Sequence, residues 1–193
     1  MVNADARATT IVAAALAAGI RIVQYRAKRG IDSNVAKTIR ALTEDAGALF
    51  LLNDDWRSVR RYRADGVHLG PDDAAPAELP AIREALGEAI LGVSCGTVAE
   101  AREAGLAADY LGVGAVFATS SKYDAGEPIG IAGLARIVAA TPLPVAAIGG
   151  IDEGRIAAVR AAGAAMAAVI SAIAVPEVER ACRQLVCAWG GEK

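Results

Sequence analysis

The segment LFLLNDDWRSVRRYRADGVHLGPDD, residues 49–73, contains the pattern that decides the fold. Two short apolar runs, near 49–53 and 66–69, flank a helical stretch over 55–64. Each run ends directly in polar residues, the first in Asn-Asp-Asp and the second in Gly-Pro-Asp-Asp. A strand, a helix and a second strand in this order predict a β–α–β unit with parallel strands.

The same alternation continues along the whole chain of 193 residues. It predicts a parallel sheet with helical crossovers, and residues 1–193 are predicted to form a single α/β domain. Strands are predicted near 21–26, 49–53, 66–69, 90–94, 110–116, 144–148 and 165–170. Helices are predicted at about 6–19, 33–47, 55–64, 76–87, 97–107, 131–140, 152–163 and 176–189. Ser33, Thr97 and Asp152 are predicted N-caps, because each side chain can accept a hydrogen bond from a first-turn amide.

The predicted fold is a TIM (β/α)8 barrel with a truncated or missing first strand. Eight helices are predicted but only seven strands, and only residues 1–4 precede the first helix. Either those residues form a clipped strand, or the barrel is open on one side. A doubly wound sheet is the alternative, but it would gather its ligand groups at one switch point. Polar residues instead follow nearly every predicted strand, which favours a barrel with one pocket at its carboxyl-terminal rim.

Composition narrows the classes of function. The formal net charge is -2, so no general electrostatic field favours nucleic acid or an anionic membrane. No apolar segment approaches the roughly 20 residues of a membrane-spanning helix. Three cysteines without CxxC spacing are typical of a reduced cytoplasmic protein. His68 is the only histidine, so a histidine metal cluster is excluded and a core or supporting role is predicted for it.

Gln24, Arg26 and Lys28 alternate by two residues at the end of a predicted strand. On a strand this period places the side chains on one face, which in a barrel points to the lumen and the mouth. Two cations there require an anion, because unpaired buried charge is costly. We interpret them as part of an anion site, and ion pairs with local acids are the alternative.

Acidic residues follow the next two predicted strands. Asn53, Asp54 and Asp55 end the first, and Asp72 and Asp73 follow the second. Carboxylates from two strand ends suit Mg2+, which takes oxygen ligands and often keeps waters and substrate phosphate oxygens. An N-cap cluster is the alternative. The nearby cations favour a metal–pyrophosphate site instead.

Phosphate-binding features follow the later strands. Gly150, preceded by a second glycine, comes after the penultimate predicted strand, and Ile170 and Ser171 come after the last one. Loops at these two places commonly bind phosphate in this fold. The loop over 119–122 contains three hydroxyls and one ammonium. Its composition fits a plain surface loop as well as an anion site.

Taken together, the motifs resemble those of thiamine phosphate synthase, in the superfamily of thiamine monophosphate synthases and thiazole tautomerases. The similarity is nearly continuous from about Ile20 to Ile173. The motifs are QYRAK (24–28), LLNDD (51–55), DGVHLGPDD (65–73), GVS (92–94), VGAVFATSSKYDAG (113–126), AIGGI (147–151) and VISAI (169–173). Their combination is far more specific than any one of them.

The resemblance implies a Mg2+-dependent transferase that joins an aminomethylpyrimidine pyrophosphate to a thiazole phosphate and releases pyrophosphate. It implies that Asp54 and Asp73 bind Mg2+ and that Arg26, Lys28 and Lys122 are catalytic. The implied substrate-binding residues are Gln24, Tyr25, Arg26, Ala27, Lys28, Asn53, Ser94, Thr119, Ser120, Ser121, Lys122, Gly150, Ile170 and Ser171. The expected partners are the two small molecules, with a homodimer as one option for the assembly.

The chain departs from the family pattern at several positions. Its first strand is almost absent, and Ala27, Ala115 and Ala118 stand where the family more often has an acid or prolines. Cys95 and Gly96 replace a commoner Thr-His pair, so the histidine that related tautomerases use near this position is missing. A tautomerase-like isomerase and a non-catalytic phosphate-ligand binder are the alternatives to the transferase.

Overall fold

Eight parallel strands pair in chain order in a computed structural model that describes residues 1–119 and 127–190. The strands are β1 (Val2–Asn3), β2 (Ile22–Arg26), β3 (Leu49–Asn53), β4 (Gly66–Leu69), β5 (Ile90–Cys95), β6 (Tyr110–Val113), β7 (Val145–Ile148) and β8 (Met166–Ala168). The α-helices are α1 (Ala8–Ala17), α2 (Ser33–Asp45), α3 (Val59–Tyr62), α4 (Leu79–Leu86), α5 (Val98–Ala104), α6 (Gly130–Ala139), α7 (Glu153–Ala161) and α8 (Val178–Trp189). The predicted TIM-barrel fold is confirmed. None of the helices in the described ranges is long and apolar enough to cross a membrane.

The first strand is present but short. β1 pairs with the end of β2, with Val2 opposite Tyr25, so the first residues do form a clipped strand, while the sheet order runs from β1 to β8 with no ladder between those two strands in the described ranges. The Met1 ammonium donates a hydrogen bond to the carbonyl oxygen of Val169, 3.0 Å away and just past β8. Helices α1 and α8 pack against each other. This hydrogen bond and this helix packing join the first and last parts of the barrel.

Alternation along the strands separates an outer core from the lumen. On the face toward the helices, side chains such as Phe50, Leu52, Val67, Leu91 and Leu111 are fully buried. The strand register places Leu52 opposite Val67 and Val67 opposite Leu91, so this apolar layer is continuous around the barrel. Removing such a layer from water is the main favourable contribution to folding. The intervening residues face the lumen.

Two glycines make room for aromatic rings inside the barrel. The register aligns His68 with Gly92 and Gly92 with Tyr110, so these positions share the lumen-facing side. A Cβ atom on Gly92 would lie 2.2 Å from Cζ of Tyr110, and a Cβ atom on Gly112 would lie 2.5 Å from Cε1 of His68. Both distances are far below van der Waals contact, so larger residues at these two positions would displace the rings.

One of the three predicted helix caps is wrong. Thr97 and Asp152 accept hydrogen bonds from first-turn amides at 3.2 and 3.1 Å, as predicted. Ser33 is instead the first residue of α2, because Asp32 accepts the first-turn hydrogen bonds. The Ser33 hydroxyl lies 2.9 Å from the hydroxyl of Tyr62 and joins α2 to α3.

Several predicted elements have different bounds in the structure. The strand predicted over 110–116 is too long, because β6 and its pairing with β7 both end at Val113. The helix predicted over 55–64 divides into a 3₁₀ helix, Trp56–Ser58, and the short α3. Arg63 ends α3 with a left-handed φ of 51°. The polar residues still follow the strand ends.

We predict that Gly112→Ala destabilises the fold by about 1–3 kcal/mol, because the new methyl group overlaps the ring of His68. Gly154→Ala is the matched control, since Gly154 lies in α7 and a Cβ atom there meets nothing closer than 3.6 Å. Alanine at that position should stabilise the fold by about 0.5–1 kcal/mol through helix propensity. Urea unfolding midpoints of the two variants measure both effects. Equal midpoints would contradict the packing argument.

Candidate active site

A cavity of about 350 Å³ opens where β2, β3 and β4 end. Its lining contains charged, amide and apolar groups from three consecutive strand ends and the turn after β2. The lining residues are Ala27, Lys28, Gly30, Ile31, Asn53, Asp54, Asp55 and Asp73. A barrel brings side chains from distant parts of the sequence together at this rim, so the cavity is the candidate active site.

A chain of side-chain hydrogen bonds connects β2 to the cavity. Gln24 is only 9% exposed, and its Nε2 donates to Oδ1 of Asn53 at 2.5 Å. The Asn53 Nδ2 then donates to Oδ1 of Asp54. Because both ends of the Asn53 amide are engaged, its orientation is set by its neighbours, and it holds the Asp54 carboxylate in place.

The two aspartates after β3 have different tasks. Asp55 caps the following 3₁₀ helix, accepting from the amide of Ser58 at 3.3 Å and from its hydroxyl at 2.5 Å. Asp54 has a left-handed φ of 73°, and its amide donates to the carbonyl oxygen of His68 at 2.9 Å. A left-handed aspartate is uncommon and costs conformational energy. The N-cap alternative therefore accounts for Asp55, while Asp54 lines the cavity.

Opposite charges converge at this rim. The pKa of Asp54 is raised from 3.8 to about 6, first by burial and then by the negative charge of Asp73 and a hydrogen bond with its carboxyl group. The positive charges of Arg26 and Lys28 act in the other direction, which places both cations near the same carboxylate. The Asp73 carboxylate is itself held by the amide of Gly70 at 2.7 Å. The structure thus brings together the four charged residues that the sequence analysis assigned to cations and metal ligands on β2, β3 and β4.

The donor set fits a divalent cation of the Mg2+ type. Two neighbouring carboxylates repel each other, and that repulsion is relieved when a cation binds between them. Within the described ranges, no group of three or more His, Cys, Asp or Glu side chains converges as a metal cluster. Water and substrate oxygens would therefore complete the ligand set, which is the usual coordination of Mg2+ in proteins.

The second half of the rim is built from small residues after β7 and β8. Gly149 and Gly150 have left-handed φ values of 100° and 63°. A Cβ atom on Gly150 would lie 2.6 Å from the carbonyl oxygen of Ala118, so the turn after β7 passes very close to the stretch of chain that follows β6. Gly150 and Ile170 each lie two residues beyond the last register pair of β7 and β8, and Ser171 is exposed and begins a short 3₁₀ helix.

Five other predicted residues need separate comment. Thr119 is partly buried at the end of the first described range. Ser120, Ser121 and Lys122, which were also predicted to bind substrate, lie outside the described residues. Lys28 does not continue the strand period, because β2 ends at Arg26, but the following turn still places Lys28 in the cavity wall.

The prediction for Tyr25 needs correction. Its side chain is 1% exposed and lies on the helix-facing side of β2, near Asp32 and Tyr62. Burial raises the pKa of Tyr25. Since Gln24 and Arg26 occupy the lumen face, the intervening side chain must point the other way.

A lumen residue was missed by the sequence analysis. The Tyr110 hydroxyl lies 2.9 Å from Nδ1 of His68, and Nε2 of the same ring lies 2.9 Å from Oγ of Ser94. His68 therefore has the supporting role that was predicted for it, next to a residue expected to contact substrate. The alternation of Tyr110 and Gly112 with the buried Leu111 could have identified Tyr110 as a lumen residue.

Comparisons with known proteins agree along nearly the whole chain. A sequence model of the family described as thiamine monophosphate synthase matches residues 2–173. The thiamine-phosphate synthase of Moorella thermoacetica is 48% identical over 181 residues, which cover 91% of this chain and 85% of that protein. The thiamine-phosphate synthase of Archaeoglobus fulgidus is 48% identical over 176 residues, 89% of this chain and 82% of that protein. The structure of a thiamine phosphate pyrophosphorylase from Pyrococcus furiosus is similar with a TM-score of 0.87 at 34% identity, covering 97% of this chain and 93% of that one.

We predict that Asp54→Asn stabilises the metal-free protein at mildly alkaline pH. Asp54 has a pKa of 3.8 in the unfolded chain and of about 6 in the folded protein. At a pH between these two values the folded state therefore binds more protons than the unfolded state. The free energy of unfolding therefore falls as pH rises through this range, and the penalty is complete above the folded pKa. Asparagine carries no charge and tolerates the left-handed backbone, so it removes this penalty, by about 1 kcal/mol after allowing for solvent screening.

Denaturant unfolding in the presence of a chelator, at acidic and at alkaline pH, measures the effect. The difference between Asp54→Asn and the unsubstituted protein should vanish below the unfolded pKa. Asp72→Asn, which changes an exposed neighbouring carboxylate, is the control and should show no such pH dependence. Identical stability of Asp54→Asn and the unsubstituted protein at alkaline pH would refute the charge repulsion.

Proposed function

The chain belongs to the thiamine monophosphate synthase family and acts as a thiamine-phosphate synthase, a transferase, and we propose that the cavity after β2, β3 and β4 binds its pyrophosphate substrate. That substrate is 4-amino-2-methyl-5-hydroxymethylpyrimidine pyrophosphate, and the acceptor is thiazole phosphate. The observation that supports this site is the convergence of Arg26 and Lys28 on the carboxylates of Asp54 and Asp73.

Arg26 and Lys28 bind the pyrophosphate group directly in this proposal. Arg26 ends β2 on the lumen face and Lys28 follows in the turn, so their side chains approach the rim from one side. Guanidinium and ammonium groups form charge-assisted hydrogen bonds to phosphate oxygens. Lys122 is proposed as a third cation of the same site on the resemblance alone.

Asp54 and Asp73 would hold Mg2+, because they form a repelling carboxylate pair that faces the proposed pyrophosphate position. When bound, the ion would add positive charge where the leaving pyrophosphate gains negative charge. The amide of Asn53 keeps Asp54 in place through its hydrogen bond. The fixed backbone of Asp54, with its left-handed φ, supports the same orientation.

The thiazole phosphate is proposed to bind across the mouth, at the ends of β6, β7 and β8. Gly150 and Ile170 follow the neighbouring strands β7 and β8, and Ser171 is exposed. Main-chain amides in glycine turns can approach a phosphate closely because no Cβ atom intervenes. Thr119, Ser120 and Ser121 are proposed to add hydroxyl donors from the loop after β6.

The reaction breaks the bond between the pyrimidine methylene carbon and the pyrophosphate oxygen and forms a bond from that carbon to the thiazole nitrogen. Pyrophosphate leaves with the electron pair of the broken bond, and the methylene carbon transiently carries positive charge. Arg26 and Lys28 stabilise the departing negative charge. The barrel rim holds the thiazole nitrogen in line with the carbon, so positioning replaces a protein nucleophile. A homodimeric assembly and a cytoplasmic location stay predictions.

We predict that the purified protein, supplied with Mg2+ and both substrates, forms thiamine phosphate and releases one pyrophosphate for each turnover. Product chromatography and a coupled pyrophosphate assay measure the two yields. Isomerisation of a thiazole substrate without pyrophosphate release would support the tautomerase-like alternative. Tight substrate binding with no product would support the non-catalytic alternative. Either result would refute the proposal.

We predict that Asp54→Ala and Asp73→Ala each lower turnover about a hundredfold or more and abolish its dependence on Mg2+ concentration. Asp72→Ala is the matched control, because Asp72 is adjacent in sequence but exposed. It should keep both the rate and the Mg2+ dependence. Steady-state kinetics across a Mg2+ titration measure these effects, with circular dichroism to verify folding. Normal Mg2+ dependence in both Asp54→Ala and Asp73→Ala would remove them as ligands.

A further inference from the structure

A hydrogen-bonded chain crosses the barrel interior from Tyr110 to Ser94. The Tyr110 hydroxyl lies 2.9 Å from Nδ1 of His68, and Nε2 of His68 lies 2.9 Å from Oγ of Ser94. The two rings are tilted by 34° with centroids 5.5 Å apart. Gly92 and Gly112 leave the space that these rings fill. The chain joins three neighbouring strands, β4, β5 and β6, and ends at the mouth.

The direction of these hydrogen bonds follows from the burial of Tyr110. Its hydroxyl proton needs an acceptor, because an unsatisfied buried donor costs about 1–3 kcal/mol. Among the residues that the structure describes, Nδ1 of His68 is the hydrogen-bond partner of that hydroxyl. Burial also raises the pKa of Tyr110 above its ordinary value of 10.0, so the hydroxyl keeps its proton. Tyr110 is therefore the donor and Nδ1 the acceptor.

This direction determines the tautomer of His68. A neutral imidazole with an accepting Nδ1 carries its proton on Nε2. The Nε2–H then donates to Oγ of Ser94, 2.9 Å away. The opposite arrangement, with the proton on Nδ1, would leave the Tyr110 hydroxyl proton without an acceptor among the described residues. The energetic difference favours the first arrangement.

We propose that His68 is a positioning residue that makes Ser94 a hydrogen-bond donor toward the substrate. Because Oγ of Ser94 accepts from His68, its own proton is directed away from the ring and into the mouth. Ser94 then binds an acceptor atom of the pyrimidine pyrophosphate, either a ring nitrogen or a pyrophosphate oxygen, and not its amino group. Tyr110 acts through His68 and touches no substrate. This inference rests on the proposed function, because it assumes that Ser94 contacts that substrate.

The tautomer can be observed directly, because the chain has one histidine. Protein without a histidine tag, labelled with 15N in histidine, gives ring signals from His68 alone. We expect a protonated Nε2 and an unprotonated Nδ1 at neutral pH. A protonated Nδ1, in either the other tautomer or the imidazolium ion, would overturn the proposal. This measurement requires neither substrate nor activity.

A double-mutant cycle tests the consequence for catalysis. Tyr110→Phe keeps the ring but removes the donor, and should lower kcat/KM roughly three- to tenfold. In a Ser94→Ala background the same change should have no further effect, because the residue on which it acts is absent. Equal losses in both backgrounds would mean that Tyr110 acts through general stability and would overturn the proposal.

Tyr62→Phe is the matched control, since it removes the hydroxyl of another buried tyrosine whose partner, Ser33, lies outside the lumen. It should leave kcat/KM and the His68 signals unchanged. A Tyr62→Phe variant as slow as Tyr110→Phe would overturn the proposal. Failure of the unsubstituted protein to make thiamine phosphate would refute the proposed function and the substrate role of Ser94, while the NMR signals would still decide the direction of the hydrogen bonds.

Discussion

Because successive side chains on a strand point to opposite faces, every strand of this barrel supplies two populations of residues. One population, represented by Leu52, Val67 and Leu91, is buried against the helices. The other faces the lumen and becomes polar toward the carboxyl-terminal rim. The stability of the outer layer holds the lumen residues in register, so charged groups that repel each other can be kept together without unfolding the protein.

That register explains how the rim balances its charges. The free energy gained by burying the outer layer offsets the repulsion between Asp54 and Asp73 and the left-handed backbone at Asp54. Arg26 and Lys28 act to lower the pKa of Asp54, but burial and then the charge of Asp73 outweigh them, so that pKa stays raised. A site with two neighbouring carboxylates and two nearby cations is well suited to bind a divalent cation together with an anionic substrate.

Much of the fold and the location of the site could be predicted from the sequence, because both depend on periodicity and on polar residues after strands. The acidic groups after β3 and β4 and the cations at the end of β2 were identified in this way, whereas the choice of Asp54 and Asp73 within those groups came from the family resemblance. Tyr25 was assigned through family resemblance, although the same periodicity that places Gln24 inside places Tyr25 outside. The capping role of Asp55 could not be separated from the role of Asp54 by residue type, because only the backbone conformation distinguishes them.

Because β1 has only two residues, its ladder with β2 is the shortest of the sheet. From β2 to β8 each pair of neighbouring strands shares a longer ladder, whereas the seam beside β1 depends on a few main-chain bonds and on the packing of α1 against α8. Fluctuations that part the sheet therefore start at this seam at a lower free-energy cost than elsewhere. The acidic and glycine-rich halves of the rim lie on opposite sides of it, so a parting of the sheet at this seam changes the spacing between the two halves.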